Sequence, residues 1–236
     1  MPGTVPVVNY GGNAAVSTSG DGLTLTTRAS GILRRTMVFS GTAPVSMAGQ
    51  TVQIERLGHE TDWTWAATVS AVIAADGSFQ ARWRVNHIGQ FSIRAVLGGS
   101  ALSNGPAAVI NPATVATPPA GTPLTAPMSV IVYRRSYATQ YGPGFFGSRT
   151  ACGERLRRDT IGVANRTLPC GTKVAIYYHG ETMVVPVIDR GPYANGADWD
   201  LTTATAAALG ITSSAEIGAV SLPHPAQPAI TNGRRR

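Results

Sequence analysis

The chain has 236 residues, room for two modest domains, because single cores most often close at about 100–150 residues. Charged residues make up 13%, about half the usual share, while 27 glycines and 16 prolines favour turns over helices and predict short strands. The net charge of +7 suits polyanions. The arginines form only short clusters, as at Arg34-Arg35, Arg134-Arg135, Arg155 to Arg158 and Arg234 to Arg236; without a recognition signature they do not make nucleic acid the expected partner.

Residues 1–30 are rich in Gly, Ser and Thr, with brief alternation at Leu23 to Thr26; they read as an irregular lead-in ending in an edge strand. Strand signals follow over 31–110. Thr36 to Phe39, Thr51 to Arg56, Trp63 to Val72, Phe79 to Val85 and Phe91 to Ala95 are separated by turn-forming stretches, among them Asp76-Gly77. Alternation such as Val52 and Ile54 against Gln53 and Glu55 puts one face of each strand inward. Short strands with regular turns predict an antiparallel β-sandwich, here resembling an immunoglobulin-like module of the bacterial surface type. It contains no cysteine, so the intersheet disulfide of antibody domains is absent. Trp63, Trp65 and Trp83 can either pack or form a carbohydrate-stacking surface.

Residues 104–127 hold six prolines and no charge, the composition of a semi-stiff spacer, with the linker proper placed at 111–127. A second domain is expected over 128–223, opening with the strand Met128 to Tyr133 and followed by a basic tail, 224–236. Lys173 to Tyr178 and Thr182 to Ile188 read as strands around a turn at His179 to Glu181. Pro186 marks an edge or bulge. Thr203 to Leu209 reads as a short helix capped by Asp200 or Thr202.

Both cysteines, Cys152 and Cys170, fall in this half. Alone they cannot complete a four-ligand zinc site, and His59, His87, His179 and His224 are scattered. No metal and no cofactor is expected. A lone pair fits one disulfide in a secreted protein; two buried thiols in a cytosolic one is the alternative. The N-terminus lacks the charged and apolar segments of a signal peptide, and no apolar run is long enough for a membrane helix.

The segments Tyr141-Gly142-Pro143-Gly144-Phe145-Phe146-Gly147, Thr150 to Glu154, Asn165 to Thr172, Val187 to Tyr193, and Asp200 to Thr202 followed by Ala204 to Gly210 resemble, in order and spacing, the rare-lipoprotein-A-like double-psi β-barrel family. Expansins and barwin-type proteins share its barrel more distantly. The resemblance covers about residues 133–222. It implies a six-stranded double-psi barrel with short helices, and so an all-β protein of sandwich plus barrel. It also implies a lytic transglycosylase acting on peptidoglycan or a related cell-wall polysaccharide, in a secreted or wall-associated setting. The rival expectations are an expansin-like, non-catalytic wall-binding or wall-loosening protein and a structural surface component.

In that reading Asp189 is the acid/base, with its pKa raised by an apolar wall, or else a plain acceptor for the amides of the next turn. Glu154 is the second acid/base or a positioning group. Tyr141, Asn165, Arg190, Tyr193 and Asp200 are candidate substrate-binding residues, Asp200 also being a candidate helix cap. The sequence departs from the family at Asn165, where many members have His, and at Arg157, where Asp is common. The family's Asn before Gly-Glu is Cys152, and Cys170 follows Leu168-Pro169. This paired change supports a Cys152–Cys170 disulfide.

Overall fold

The computed structural model describes residues 12–98, 117–193 and 196–223; the expected basic tail, lead-in residues 1–11, positions 99–110 of the expected sandwich and linker positions 111–116 lie outside these. The elements, in chain order, are β1 (Ala15–Gly20), β2 (Leu23–Arg28), β3 (Ser30–Ile32), β4 (Thr36–Thr42), β5 (Thr51–Leu57), β6 (Ala66–Val72), β7 (Ser78–Arg84), β8 (Gly89–Leu97), β9 (Met128–Tyr141), β10 (Val163–Ala164), β11 (Lys173–Tyr178), β12 (Glu181–Asp189), β13 (Trp199–Thr202), α1 (Thr203–Ala208) and β14 (Ala215–Ser221).

The first half is two facing sheets. One has the order β1-β2-β4-β7; the other runs β9-β8-β5-β6, with β3 added parallel to β9. Alternation drives the packing. Leu23 and Leu25 of β2, Met37 and Phe39 of β4 and Trp83 of β7 point inward, meeting Ile54, Phe91, Ile93, Val130 and Val132 from the opposite sheet. Each large apolar side chain so buried contributes roughly 1.5–3 kcal/mol.

Three readings of the sequence change here. Residues 15–28 are a paired hairpin, not an irregular lead-in: Asp21 and Gly22 take positive φ values of 48° and 78°, the geometry of a primed two-residue turn that Asp-Gly favours. β6 starts at Ala66 rather than Trp63, because His59–Thr61 winds into a 3-10 turn and Asp62 and Trp63 follow at φ 49° and 57°. The three tryptophans do not form one surface, because Trp83 is buried. Trp83 is in the core, Trp65 lies under the Arg94 guanidinium at 4.0 Å, and Trp63 is 55% exposed.

The second half is a closed six-stranded barrel of order β9-β14-β11-β12-β10-β13, with β13 pairing back onto β9. Val163, Val174, Ile176, Val185, Val187, Leu201 and Ile217 fill it. Val187 N–H donates to Thr172 O, so by alternation the ring nitrogen of Pro186 faces away from β11, towards the shifted β10–β12 pairing. That is where a strand tolerates a missing donor. Thr202, not Asp200, caps α1: its hydroxyl accepts from Thr205 N–H, while Asp200 lies in β13.

Strand β9 belongs to both halves. Met128 to Ile93 and Gly89 to Val132 pair it with β8, whereas Arg134 to Ala138 pair with β14. Its side chains Met128, Val130 and Val132 enter the first core, and Ala138 enters the barrel core. Ile131 and Tyr133 meet Ala175 and Val220 in a third cluster at the junction. Gly218 of β14 permits this approach, since a Cβ there would sit 2.9 Å from Tyr133 Cβ. The proline-rich segment also differs from a free spacer where it is described. Pro123 O accepts from Leu97 N–H, Thr125 N–H donates to Ala95 O, and Thr125 is fully buried. Its backbone bonds to the sandwich fix the approach to Met128.

A shared strand predicts one cooperative transition. With Trp83 reporting the sandwich and Trp199 the barrel, in single-tryptophan variants, denaturant unfolding should give coincident midpoints. Midpoints separated beyond experimental error would contradict the coupling.

Candidate active site

Four neighbouring strands of the barrel each deliver a residue to one patch of its surface. β9 ends at Tyr141, β10 leads into Asn165, β12 ends at Asp189, and β13 carries Asp200. The ladder fixes them side by side: Thr202 pairs with Tyr141, Ala164 with Asp200, and Ala164 with Asp189. Asn165 N–H donates to Asp189 O at 3.1 Å. Glu154 arrives on the long loop between β9 and β10.

That loop is tied down at three points. Cys152 and Cys170 form the expected disulfide, with Cα atoms 5.7 Å apart. Cys152 N–H donates to Ile188 O at 3.3 Å, and Ala151 N–H donates to Asp189 Oδ1 at 2.8 Å. The same Oδ1 accepts from Arg190 N–H at 2.8 Å. Asp189 is thus half-buried with one oxygen fixed by two amides. Oδ2 has no protein donor among the described residues, so one face of the carboxyl is left for a ligand. The turn-acceptor role thus occupies only one of the two oxygens.

Asp200 is the carboxyl whose pKa is raised. Half-burial is the main cause, opposed by a 2.9 Å hydrogen bond from Thr139 Oγ1 and reinforced by the negative charge of Asp189. Tyr141 is placed differently from a stacking platform. Its hydroxyl is buried with no partner among the described residues. Desolvation first, then the charges of Asp189, Asp200 and Glu154, push its pKa well above the usual phenol range. It therefore remains a protonated donor facing an acidic site.

Asn165 spends its side chain on its own turn. Oδ1 accepts from Thr167 and Leu168 N–H at 3.1 and 2.9 Å, and Nδ2 donates to Asp198 O at 3.4 Å. Arg190 folds back, donating to Asn165 O and Asp189 O at 3.4 Å and to Cys170 Sγ at 3.3 Å. Tyr193 is 80% exposed beside the site. Phe145, not singled out from sequence, is 59% exposed and meets the Tyr141 ring edge-on at 6.4 Å. An apolar residue in a Gly-Pro-Gly loop was the available signal. Glu154 and Arg157 are both exposed. The nearest histidine in sequence, His179, sits at the opposite end of β12 from Asp189, roughly 30 Å away at strand rise, stacked on Tyr178. No group of three metal-ligating side chains occurs among the described residues.

In this closed six-stranded barrel Asp189 and Asp200 lie on the two strands that flank β10. Residues 134–222 match the family model described as lytic transglycolase. The chain is 46% identical over 87 residues to a probable endolytic peptidoglycan transglycosylase RlpA of Synechocystis sp., covering 36% of this chain and 27% of that protein. A probable endolytic peptidoglycan transglycosylase RlpA of Aquifex aeolicus is 41% identical over 81 residues, 34% and 36% of the two chains. The endolytic peptidoglycan transglycosylase RlpA of Campylobacter jejuni is 35% identical over 79 residues, 33% and 29%. The chain thus spans about a third or less of each of these relatives. Among solved structures, Streptomyces papain inhibitor (SPI) aligns with a TM-score of 0.32 and 25% identity over 38% of this chain and 93% of that one.

Two outcomes are expected of variants. Replacing Cys152 and Cys170 with serine should cost about 3 kcal/mol in the chain-entropy account of an 18-residue loop, read as a lower urea midpoint; an unchanged midpoint would show that the loop is held without it. Asp200→Asn tests the raised carboxyl. A group whose folded pKa exceeds its unfolded value favours folding while protonated, and that contribution is lost as pH rises through the folded pKa. The variant, which keeps the acceptor for Thr139, should therefore gain stability over the parent at neutral pH, and the gain should shrink towards the acid side of the carboxylate range. A difference independent of pH would contradict the assignment.

Proposed function

We propose that the barrel acts on peptidoglycan as a lytic transglycosylase, cleaving glycan strands between N-acetylmuramic acid and N-acetylglucosamine to leave a 1,6-anhydro end. The observation that carries this reading is the lytic transglycolase match over residues 134–222, falling on the stretch that brings Asp189, Asp200, Glu154 and Tyr141 together. Asp189 touches the substrate. Its carboxyl gives a proton to the glycosidic oxygen as the bond to C1 breaks with oxocarbenium character. The resulting carboxylate then takes the proton of the muramoyl 6-hydroxyl as that oxygen bonds to C1. No water is consumed, and the carboxyl ends as it began.

The remaining residues have supporting roles. Burial disfavours the charged forms of Asp200 and Tyr141, and the Tyr141 hydroxyl is a donor for the site. Glu154, exposed on its pinned loop, is the second acid/base or positioning group. Tyr193 and Phe145 offer exposed faces for sugar rings. Arg190 keeps a cation beside the turn, within reach of a lactyl or peptide carboxylate. The disulfide suits an exported, wall-associated protein, with residues 31–110 read as an immunoglobulin-like carrier and neither nucleic acid nor a membrane span in the role.

Asn165 favours a second reading. An amide spent on a local turn cannot relay protons, and a groove without that relay serves an expansin-like protein that binds or loosens the wall without cleaving it. Incubation with purified peptidoglycan, intact and stripped of stem peptides, separates the two. Mass spectrometry should detect 1,6-anhydromuramoyl ends that fall at least 100-fold in Asp189→Asn, a variant that still accepts from Ala151 and Arg190. Binding with no such products in the parent protein would establish the second reading instead.

A further inference from the structure

The sandwich carries a cleft that the proposed reaction does not use. β2 and β4 share only the Thr26–Ser40 pair before they diverge, and β3 crosses to the opposite sheet, leaving an opening of 530 Å³ at the corner. This lies within the roughly 300–1,000 Å³ of small-ligand clefts. Arg28, Arg35, Thr26, Ser30 and Thr36 line it from the sandwich, and Tyr177 of β11 closes it from the barrel.

Its charge is one-sided. No Asp or Glu lines the cleft, and none occurs in β1, β2, β4 or β7. Arg82 and Arg84 of β7 pair with Val38 and Thr36 on the same outward face, extending the positive surface. The nearby acids of this sheet, Asp21 and Asp76, sit in the turns at its other end. None of Arg28, Arg35, Arg82 and Arg84 makes a salt bridge among the described residues; Arg28 donates only to the neutral Asn13 carbonyl and side-chain oxygens. Ser30 Oγ is buried here without a hydrogen-bond partner, which a native protein rarely leaves so. Guanidinium forks suit carboxylates, hydroxyls suit sugar hydroxyls, and the Tyr177 ring offers an apolar edge.

We propose that this cleft is a second saccharide-binding site, taking a carboxylate-bearing sugar of an acidic glycan. The choice of saccharide over a bare anion follows from the hydroxyl-rich lining and the size of the opening. That the glycan is the wall strand itself, whose lactyl and peptide carboxylates supply the charge, rests on the proposed function. The cleft then holds the polymer at the sandwich–barrel junction while the barrel rim engages another segment.

The test is calorimetric titration of the full chain with an oligogalacturonate and with a neutral chito-oligosaccharide of equal length. The acidic ligand should bind at least tenfold more tightly, and Arg28→Ala with Arg35→Ala should reduce its affinity at least tenfold without moving the thermal midpoint. Because Arg28 also holds Asn13, Arg35→Ala alone and Arg82→Glu are measured beside it, each with a smaller loss. Equal binding of the two ligands, unchanged affinity in all three variants, or binding of duplex DNA with none of the acidic saccharide would overturn the proposal. Asp189→Asn should leave this affinity unchanged, so arginine-dependent binding in a protein that yields no anhydro products would sink the proposed reaction and keep the cleft.

Discussion

The interaction on which the rest depends is the double pairing of β9. Over one continuous strand its hydrogen bonds pass from β8 and β3 to β14 and β13, and its side chains pass from one core to the next. A strand's period of two allows this. Met128, Val130 and Val132 face the sandwich core while Ile131 and Tyr133 face the junction, so neither half can slip in register without displacing side chains in the other. The barrel's acidic rim lies at the far end of this strand, at Tyr141, and therefore inherits its position from a sheet that begins in the sandwich.

Closure of the barrel then does the chemical placement. Because β13 pairs with both β10 and β9, Asp200, Asn165 and Tyr141 are held by ladder geometry rather than by loops. The loop-borne acid, Glu154, is confined by the disulfide and by the Ala151 amide on Asp189. Burial at this rim is uneven, and unevenness is what separates the roles. Asp200 and the Tyr141 hydroxyl are desolvated, whereas Asp189 retains an open oxygen. Acids of one type thus meet different surroundings, the condition under which their pKa values separate.

Much of this was legible in the chain. The alternation at Thr51 to Arg56 and Phe79 to Val85, the turn at His179-Gly180, and the ordered segments from Tyr141 to Thr202 led to the strands, the barrel and the Cys152–Cys170 pair. What stayed hidden depends on partners distant in sequence. The hairpin at Asp21-Gly22 was masked because its outward positions are Ser and Thr, which read as loop. The end of the proline-rich stretch looked free because its bonds run to Ala95 and Leu97. At the site, residue types were visible but their duties were not. Asn165 closes an Asx turn, Asp200 lies in β13 while Thr202 caps the helix, and Tyr141 buries its hydroxyl instead of offering its ring. Desolvation, the cause of the Asp200 and Tyr141 shifts, is a property of the assembled rim and leaves no local sequence signal.

The central claim is that the acidic strand ends are where wall glycan binds. Amide chemical-shift mapping with a soluble N-acetylglucosamine–N-acetylmuramic acid tetrasaccharide tests it most directly. The account predicts that the largest perturbations fall on Tyr141, Ala151, Cys152, Asp189, Arg190 and Asp200, clustered on one rim. Perturbations absent from these positions, or confined to the sandwich strands, would contradict it.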